Sequence, residues 1–265
     1  YDMYEFSKQQ KKGTLIKLLY KILTSFTLAF SDIYTVTSSS DKKLFKQNKK
    51  IKLRPNWVYK TSLNEFNSRF NDRLLSVGRL EDQKNYEYLI KEFKNTKDEL
   101  TIDIYGSGQN HNNLLKLANK LNVNINIYKN LKHDELLKIY PNYKFYITSS
   151  LYEGNPKTVL EAMSSGCVVL ASSIPNHLEI IENKHNGYLY DLKENNLLNL
   201  FSQIKEDNNL NSVDYLGLYL LIIPLFYLKI VLLEFFLQHW KLLRLTNFRP
   251  NDDCRSQIPY YKLAY

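Results

Sequence analysis

The sequence predicts an α/β fold, a parallel sheet flanked by crossover helices. Three observations predict it. Between about residues 74 and 190, short apolar runs alternate with stretches of helical periodicity, the pattern of strands joined through helices. Glycine turns follow several of those runs, at Gly78, at Gly106-Ser-Gly108 and at Gly154. The stretch Glu153-Gly-Asn-Pro-Lys-Thr-Val-Leu-Glu161 leaves an apolar run, turns on Gly-Asn-Pro and enters a helix.

In chain order, residues 13–31 read as a helix, 33–36 as a short strand and 40–45 as a helical turn. Arg54-Pro-Asn56 then breaks the pattern, and polar residues lead on as a linker. This organises the chain into an incomplete N-terminal portion (1–58), a linker (59–72), an α/β domain (73–208) and an apolar tail (209–265). Within the α/β domain the strand candidates are 74–77, 101–105, 123–128, 145–148, 168–171 and 187–190. Helices are expected at 86–93, 112–121, 134–140, 157–165 and 178–182.

The tail changes character. Residues 215–228 form an apolar run holding Gly217 and Pro224, and Lys229 and Glu234 interrupt its continuation. A membrane span needs about 20 mainly apolar residues, so three readings stand: a membrane or interfacial helix, a buried helix closing the domain, or an out-of-frame end without selected structure.

The helix after Gly154 carries the chemistry. Asn155 suits an N-cap and Pro156 the first helical position. The amides of Lys157, Thr158 and Val159 then point outward at the positive end of the helix, where phosphate binds readily. Gly154 lets a ligand approach the backbone closely. Glu161, further into the helix, is placed to accept from ribose hydroxyls, while Glu153 faces the group that the diphosphate carries. By spacing alone, two solvated carboxylates on an ordinary strand-loop-helix fit as well.

Ligands of doubly wound sheets bind beyond the carboxyl ends of the strands. Gly78-Arg79 and Lys84-Asn85 belong to that rim, and two cations with a helix start neutralise a diphosphate without a divalent metal. Taken singly, each cation also fits a solvated surface residue. Gly106-Ser-Gly108 lacks the third glycine of a dinucleotide fingerprint, because position 111 is His, which disfavours a hydride-transfer cofactor.

Leu75-Ser-Val-Gly-Arg-Leu80, Lys84-Asn85, Ile104-Tyr-Gly-Ser-Gly108, the loop from Ser149 to Pro156, Leu160-Glu-Ala-Met163 and Gly166, with Glu179 and Gly187 downstream, occur in order. Together they resemble the C-terminal half of group 1 (family 4) GT-B glycosyltransferases. The resemblance implies a GT-B type fold with a Rossmann-like nucleotide-sugar domain, and retaining, metal-independent transfer from a UDP- or GDP-sugar with no other cofactor. It assigns Arg79 and Lys84 to the diphosphate, Glu153 to the donor sugar and Glu161 to the ribose. Gly78, Gly154, Thr158 and Val159 fall to the diphosphate-binding turns, and Asn130 and Leu131 to the nucleobase. Glu153, Arg79 and Lys84 are the expected catalytic groups. The expected acceptor is a saccharide or lipid-linked molecule of surface polysaccharide or glycolipid synthesis.

Such an enzyme has a longer first half than residues 1–58, in which Asp32, Ser38 and Asn56 match its closing segment; the family's final helix is not recognisable after Asn208. Two further readings therefore remain, a non-catalytic nucleotide-sugar-binding fragment and a membrane-anchored interaction protein. The formal charge of +9 suits phosphate-bearing small molecules, nucleic acid or an anionic membrane, although the wealth of Lys, Asn, Ile and Tyr also matches an A+T-rich genome. The resemblance selects the first of these partners and no nucleic acid. The basic segment 8–21 suits peripheral contact with anionic lipid or packing on its own domain. The two cysteines, Cys167 and Cys254, fit no metal spacing, and without a signal peptide the expected location is the cytoplasm, including the inner face of the plasma membrane.

Overall fold

The computed structural model describes residues 14–44, 50–54, 56, 58, 64–94, 96 and 100–206. The apolar tail, Cys254 and residues 8–13 of the basic N-terminal segment lie outside the described residues, and so do the readings attached to them. No helix among the described residues is long and apolar enough to cross a membrane.

The main body is a six-stranded parallel sheet. Its strands are β3 (Phe70–Val77), β4 (Thr101–Tyr105), β5 (Asn124–Tyr128), β6 (Tyr143–Thr148), β7 (Val168–Ser172) and β8 (Tyr188–Tyr190), in the spatial order β5-β4-β3-β6-β7-β8. All five pairings are parallel. β7 is buried at every residue, as a continuous apolar run predicts for an inner parallel strand. β5, at the edge, alternates half-buried Ile125 and Ile127 with exposed Asn124, Asn126 and Tyr128.

From β3 the chain builds outward to β4 and β5, then returns to lay β6 on the other side of β3. The loops after β3 and β6 therefore part from each other at the reversal of strand order, where such sheets bind ligands. One layer of helices is α3 (Tyr86–Glu92), α4 (His111–Leu121) and α8 (Asn196–Lys205). Its Leu89, Ile90, Leu114, Leu197 and Phe201 share a core with Leu74, Ile102, Ile104, Phe145 and Leu170 of the sheet. Leu75, Tyr146 and Val169 alternate to the opposite face. There α6 (Lys157–Ser164) packs on β6 and β7, and α5 (His133–Ile139) leads through a short 3₁₀ turn, Tyr140–Asn142, into β6.

The N-terminal portion contains α1 (Thr14–Phe30), β1 (Tyr34–Val36), α2 (Ser39–Leu44) and β2 (Ile51–Leu53). β1 and β2 pair in parallel as a separate two-stranded sheet. Lys50 donates to the Leu28 and Ala29 carbonyls at 3.4 Å and so closes the end of α1.

Four elements differ from the sequence expectation. β3 starts at Phe70, inside the expected linker, because Arg73 is held there by Asp103 of β4, with 2.6 and 2.7 Å bonds to its carboxylate. The helix expected at 178–182 is instead α7 (Pro175–Leu178), since Pro175 sits where its fixed φ starts a helix. β2 escapes a periodicity reading because it is three residues long. α8 has no local side-chain cap; buried Glu92 of α3 accepts instead from the amides of Asn195 at 2.8 Å and Leu197 at 3.1 Å.

Candidate functional site

Three loops meet at the reversal of strand order. After β3, Gly78 and Arg79 lead to a 3₁₀ turn, Asp82–Lys84, closed by Asn85 in the left-handed region. After β4, Gly106 passes so close that an added Cβ would lie 1.9 Å from the Gly78 carbonyl oxygen. A Cβ on Gly78 itself would lie 2.6 Å from the Lys84 side chain, so this glycine leaves the lysine its path. The loop after β6 is stitched to the first: Ser149 Oγ donates to the Lys84 and Asn85 carbonyls at 3.0 and 2.9 Å, and the Leu151 amide donates to Gln83 O at 2.9 Å.

These stitches bring Lys84 and Glu153 together. Lys84 Nζ lies 2.6 Å from Glu153 Oε1, with both side chains nearly buried. Ser150 Oγ donates to the same carboxylate oxygen at 2.6 Å, and Gln83 Nε2 faces the other at 3.4 Å. A pair this buried is held by its geometry and additional hydrogen bonds, since desolvation opposes it. Arg79, by contrast, reaches outward with its side chain 65% exposed, touching Glu81 at 3.2 Å and Gln83 Oε1 at 3.3 Å.

The start of α6 is shifted by one residue from the sequence reading. Pro156 takes the N-cap position and Lys157 is first in the helix. Asn155 instead receives the Asn56 amide on Oδ1 at 3.2 Å and the Asn56 side chain on its carbonyl at 2.9 Å. The Val159 amide is occupied, donating to the Pro156 carbonyl at 3.1 Å, which corrects the expectation that it points outward. The first-turn amides of Lys157 and Thr158 have no intrahelical acceptor. Gly154 is fixed from below, its carbonyl accepting from the side chain of Asn176.

Glu161 is only 2% exposed. One oxygen accepts from Tyr140 OH at 3.1 Å; the other lies 3.6 Å from both Lys157 Nζ and His133 Nδ1. His133 opens α5, directly after the loop from β5 that holds Asn130 and Leu131. Asn130 Nδ2 donates to Ser107 Oγ at 2.8 Å and Leu131 is exposed. Burial pushes the Tyr140 hydroxyl well up, and proximity to Glu161 raises it further.

His177 lies fully buried beneath the Gly154 loop. Its Nδ1 is 2.8 Å from the Ser172 carbonyl, which only accepts, so Nδ1 carries the proton. Nε2 is left as a buried lone pair without a protein partner among the described residues. Burial holds this imidazole below its ordinary range, against the raising effect of the Ser172 bond.

The structure thus joins Gly78, Lys84 and Glu153 by direct approach, with Gly154 next to Glu153 in the chain, and links Arg79 to Glu153 through Gln83; Thr158 lies in the first turn of α6, Glu161 further along that helix, and Asn130 on Ser107. A cleft of about 480 Å³ beside the Asp82–Lys84 turn, lined by Asp82, Asn85, Glu87, Asn110 and Leu151, includes neither Lys84, Glu153 nor Glu161. The site is therefore defined by the strand reversal and the polar network. Among the described residues no three His, Cys, Asp or Glu are clustered to hold a metal ion. Sequence reasoning missed Gln83, Ser150, Tyr140, His133 and Asn176. Only Gln83, beside Lys84, and Ser150, three residues before Glu153, stand close enough to a motif residue to have been noticed.

A parallel sheet flanked by helices, with cations, acids and a helix start at its strand reversal, is an α/β protein on the GT-B pattern. The chain belongs to the glycosyl transferases group 1 family, whose model matches residues 65–213, more than half its length. It is 33% identical over 129 residues to the UDP-N-acetylglucosamine–peptide N-acetylglucosaminyltransferase GtfA subunit of Streptococcus agalactiae, covering 47% of this chain and 25% of that protein. It is 26% identical over 245 residues to the UDP-Gal:alpha-D-GlcNAc-diphosphoundecaprenol alpha-1,3-galactosyltransferase of Escherichia coli, covering 80% of this chain and 61% of that one. The chain thus spans less than two thirds of either relative. In fold it is similar to Anabaena HepE, solved with UDP and glucose, with a TM-score of 0.63 at 16% identity over 76% of this chain and 61% of that one.

Proposed function

We propose that this chain is the donor-binding part of a glycosyltransferase that moves a sugar, with retention and without a metal, from a UDP- or GDP-sugar to a saccharide or lipid-linked acceptor. Its setting is surface polysaccharide or glycolipid synthesis, on the cytoplasmic side and in peripheral contact with the inner face of the plasma membrane. The observation that carries the reading is the buried Lys84–Glu153 pair beside the start of α6, with Glu161 further along the same helix. The names of the Streptococcus agalactiae and Escherichia coli relatives, both users of UDP-sugars, support the donor class.

In this reading the bond from the anomeric carbon to the diphosphate oxygen breaks as the acceptor hydroxyl attacks, and the hydroxyl proton passes to the departing phosphate. Arg79, Lys84 and the amides of Lys157 and Thr158 address the charge that grows on the diphosphate, a preorganised electrostatic contribution. Glu153 faces the sugar and offsets positive charge at the anomeric carbon. Glu161, steadied by Tyr140, takes the ribose hydroxyls. Calorimetric titration with UDP and GDP, followed by assays of donor hydrolysis and transfer, tests the reading. Failure to bind either nucleotide overturns it. Binding without hydrolysis or transfer favours a non-catalytic nucleotide-sugar-binding fragment.

A further inference from the structure

Of the side chains around the Lys84–Glu153 pair, Gln83 makes the widest set of contacts. It is 9% exposed. Its Oε1 accepts from Arg79 Nη2 at 3.3 Å, while its Nε2 donates to the Tyr152 carbonyl at 2.8 Å and faces Glu153 Oε2 at 3.4 Å. Its own carbonyl takes the Leu151 amide at 2.9 Å. One residue thus touches the exposed cation of the β3 loop and the buried acid of the β6 loop.

We propose that Gln83 is a positioning residue that sets the distance and orientation between Arg79 and Glu153. This inference rests on the donor-site reading, in which the first faces the leaving diphosphate and the second the donor sugar. The chemistry of the position favours an amide. Oε1 must accept from a guanidinium while Nε2 donates to two oxygens, and among side chains of this length only glutamine does both. Glutamate would set a second carboxylate against Glu153 and lose both donations; methionine would fill the space and make neither contact. The alignment matters because a misplacement of about 1 Å costs on the order of 100-fold in a positioned reaction.

The test compares the full chain with Gln83→Met and Gln83→Glu in two measurements. The first is competitive amine labelling of Lys84 against Lys157 in the ligand-free protein. If Gln83 holds Glu153 onto Lys84, Gln83→Met raises the relative labelling of Lys84 about fivefold, the equivalent of one ordinary hydrogen bond. Unchanged labelling in both variants overturns the inference, whatever the ligand. The second measurement is calorimetry with UDP, UDP-N-acetylglucosamine and UDP-galactose, and with GDP and GDP-mannose. Gln83→Met should bind the free diphosphate within about twofold of the parent and lose about fivefold or more on the matching sugar nucleotide, with Gln83→Glu losing most. An equal loss on nucleotide and sugar nucleotide, with a lowered melting temperature, marks a merely structural residue and also overturns it. If the parent chain binds no nucleotide while Lys84 labelling rises as expected, the donor-site reading fails and the positioning of the pair stands.

Discussion

The two regions of this molecule solve burial in opposite ways. In the sheet domain, polar groups go inside and are answered: Asp103 of β4 is fully buried, and its carboxylate receives Arg73, Asn126 and Tyr143 OH at 2.6 to 2.9 Å. In α1 of the N-terminal portion, apolar groups stay outside: Leu15 is 79% exposed, Phe30 77%, and Leu18, Leu19, Ile22, Leu23 and Phe26 are all more than half exposed. A sheet with helices on both faces can satisfy a buried carboxylate from neighbouring strands. Buried Asp103 is held at fixed distances by partners on other strands of the sheet.

The sharpest way to break this contrast is to remove an answered polar group. Asp103→Ala leaves Arg73 and the Tyr143 hydroxyl without their acceptor and should lower unfolding free energy by about 3 to 5 kcal/mol. Denaturant titration of purified protein checks it, and a loss below about 1 kcal/mol would mean that the network is not integral to the domain. Glu161→Ala should weaken nucleotide binding by about 1.5 to 3 kcal/mol through loss of a charge-assisted hydrogen bond. Unchanged affinity by calorimetry would remove Glu161 from the site.

Acid should sharpen the contrast, since the sheet domain holds a buried neutral imidazole. The folded His177 binds its proton less readily than the ordinary value of 6.5 allows, because burial disfavours the charge. Its contribution is therefore complete above that value and fades as pH falls through it. The slope reaches at most about 1.4 kcal/mol per pH unit. Unfolding midpoints measured from pH 7.5 to 5.5 should show this fall, and His177→Gln should flatten it; an unchanged slope would contradict the assignment.

Two smaller effects address the N-terminal portion. Asn56→Ala removes the side-chain donation to the Asn155 carbonyl, while the backbone amide still reaches Asn155 Oδ1, and should cost about 1 kcal/mol of stability or nucleotide affinity. No change in either would show that this portion does not steady the helix start. Replacing Leu19 and Phe26 together by serine should shift unfolding free energy by no more than about 0.5 kcal/mol, as exposed sites do, while raising solubility measured by light scattering. A large destabilisation would show that the stripe is covered in solution.

Much of the sheet domain was readable in the chain itself. β7 is an apolar run and β4 and β5 alternate apolar with polar residues, each bounded by turns, and α4 and α6 carry helical periodicity. Strand and helix types follow from such local patterns because the period of side-chain exposure is a backbone property. The placement of Gly78, Lys84 and Glu153 beyond the strand ends was readable too, and that of Glu161 inside the following helix, since a strand followed by a glycine turn or a helix start delivers its next residues to the same rim. What the chain could not disclose was every feature whose partner lies far along it. The cap of α8 is Glu92, more than a hundred residues earlier; β3 extends to Phe70 because Asp103 holds Arg73; and Asn155 is occupied by Asn56 rather than capping its own helix. The Val159 amide is spent on Pro156, a local partner, once the helix begins one residue late. Sequence alone determined which residues follow the strands onto one rim of the sheet, through local spacing. Only the tertiary structure decided which of them pair, because pairing depends on distances across the sheet that no spacing along the chain encodes.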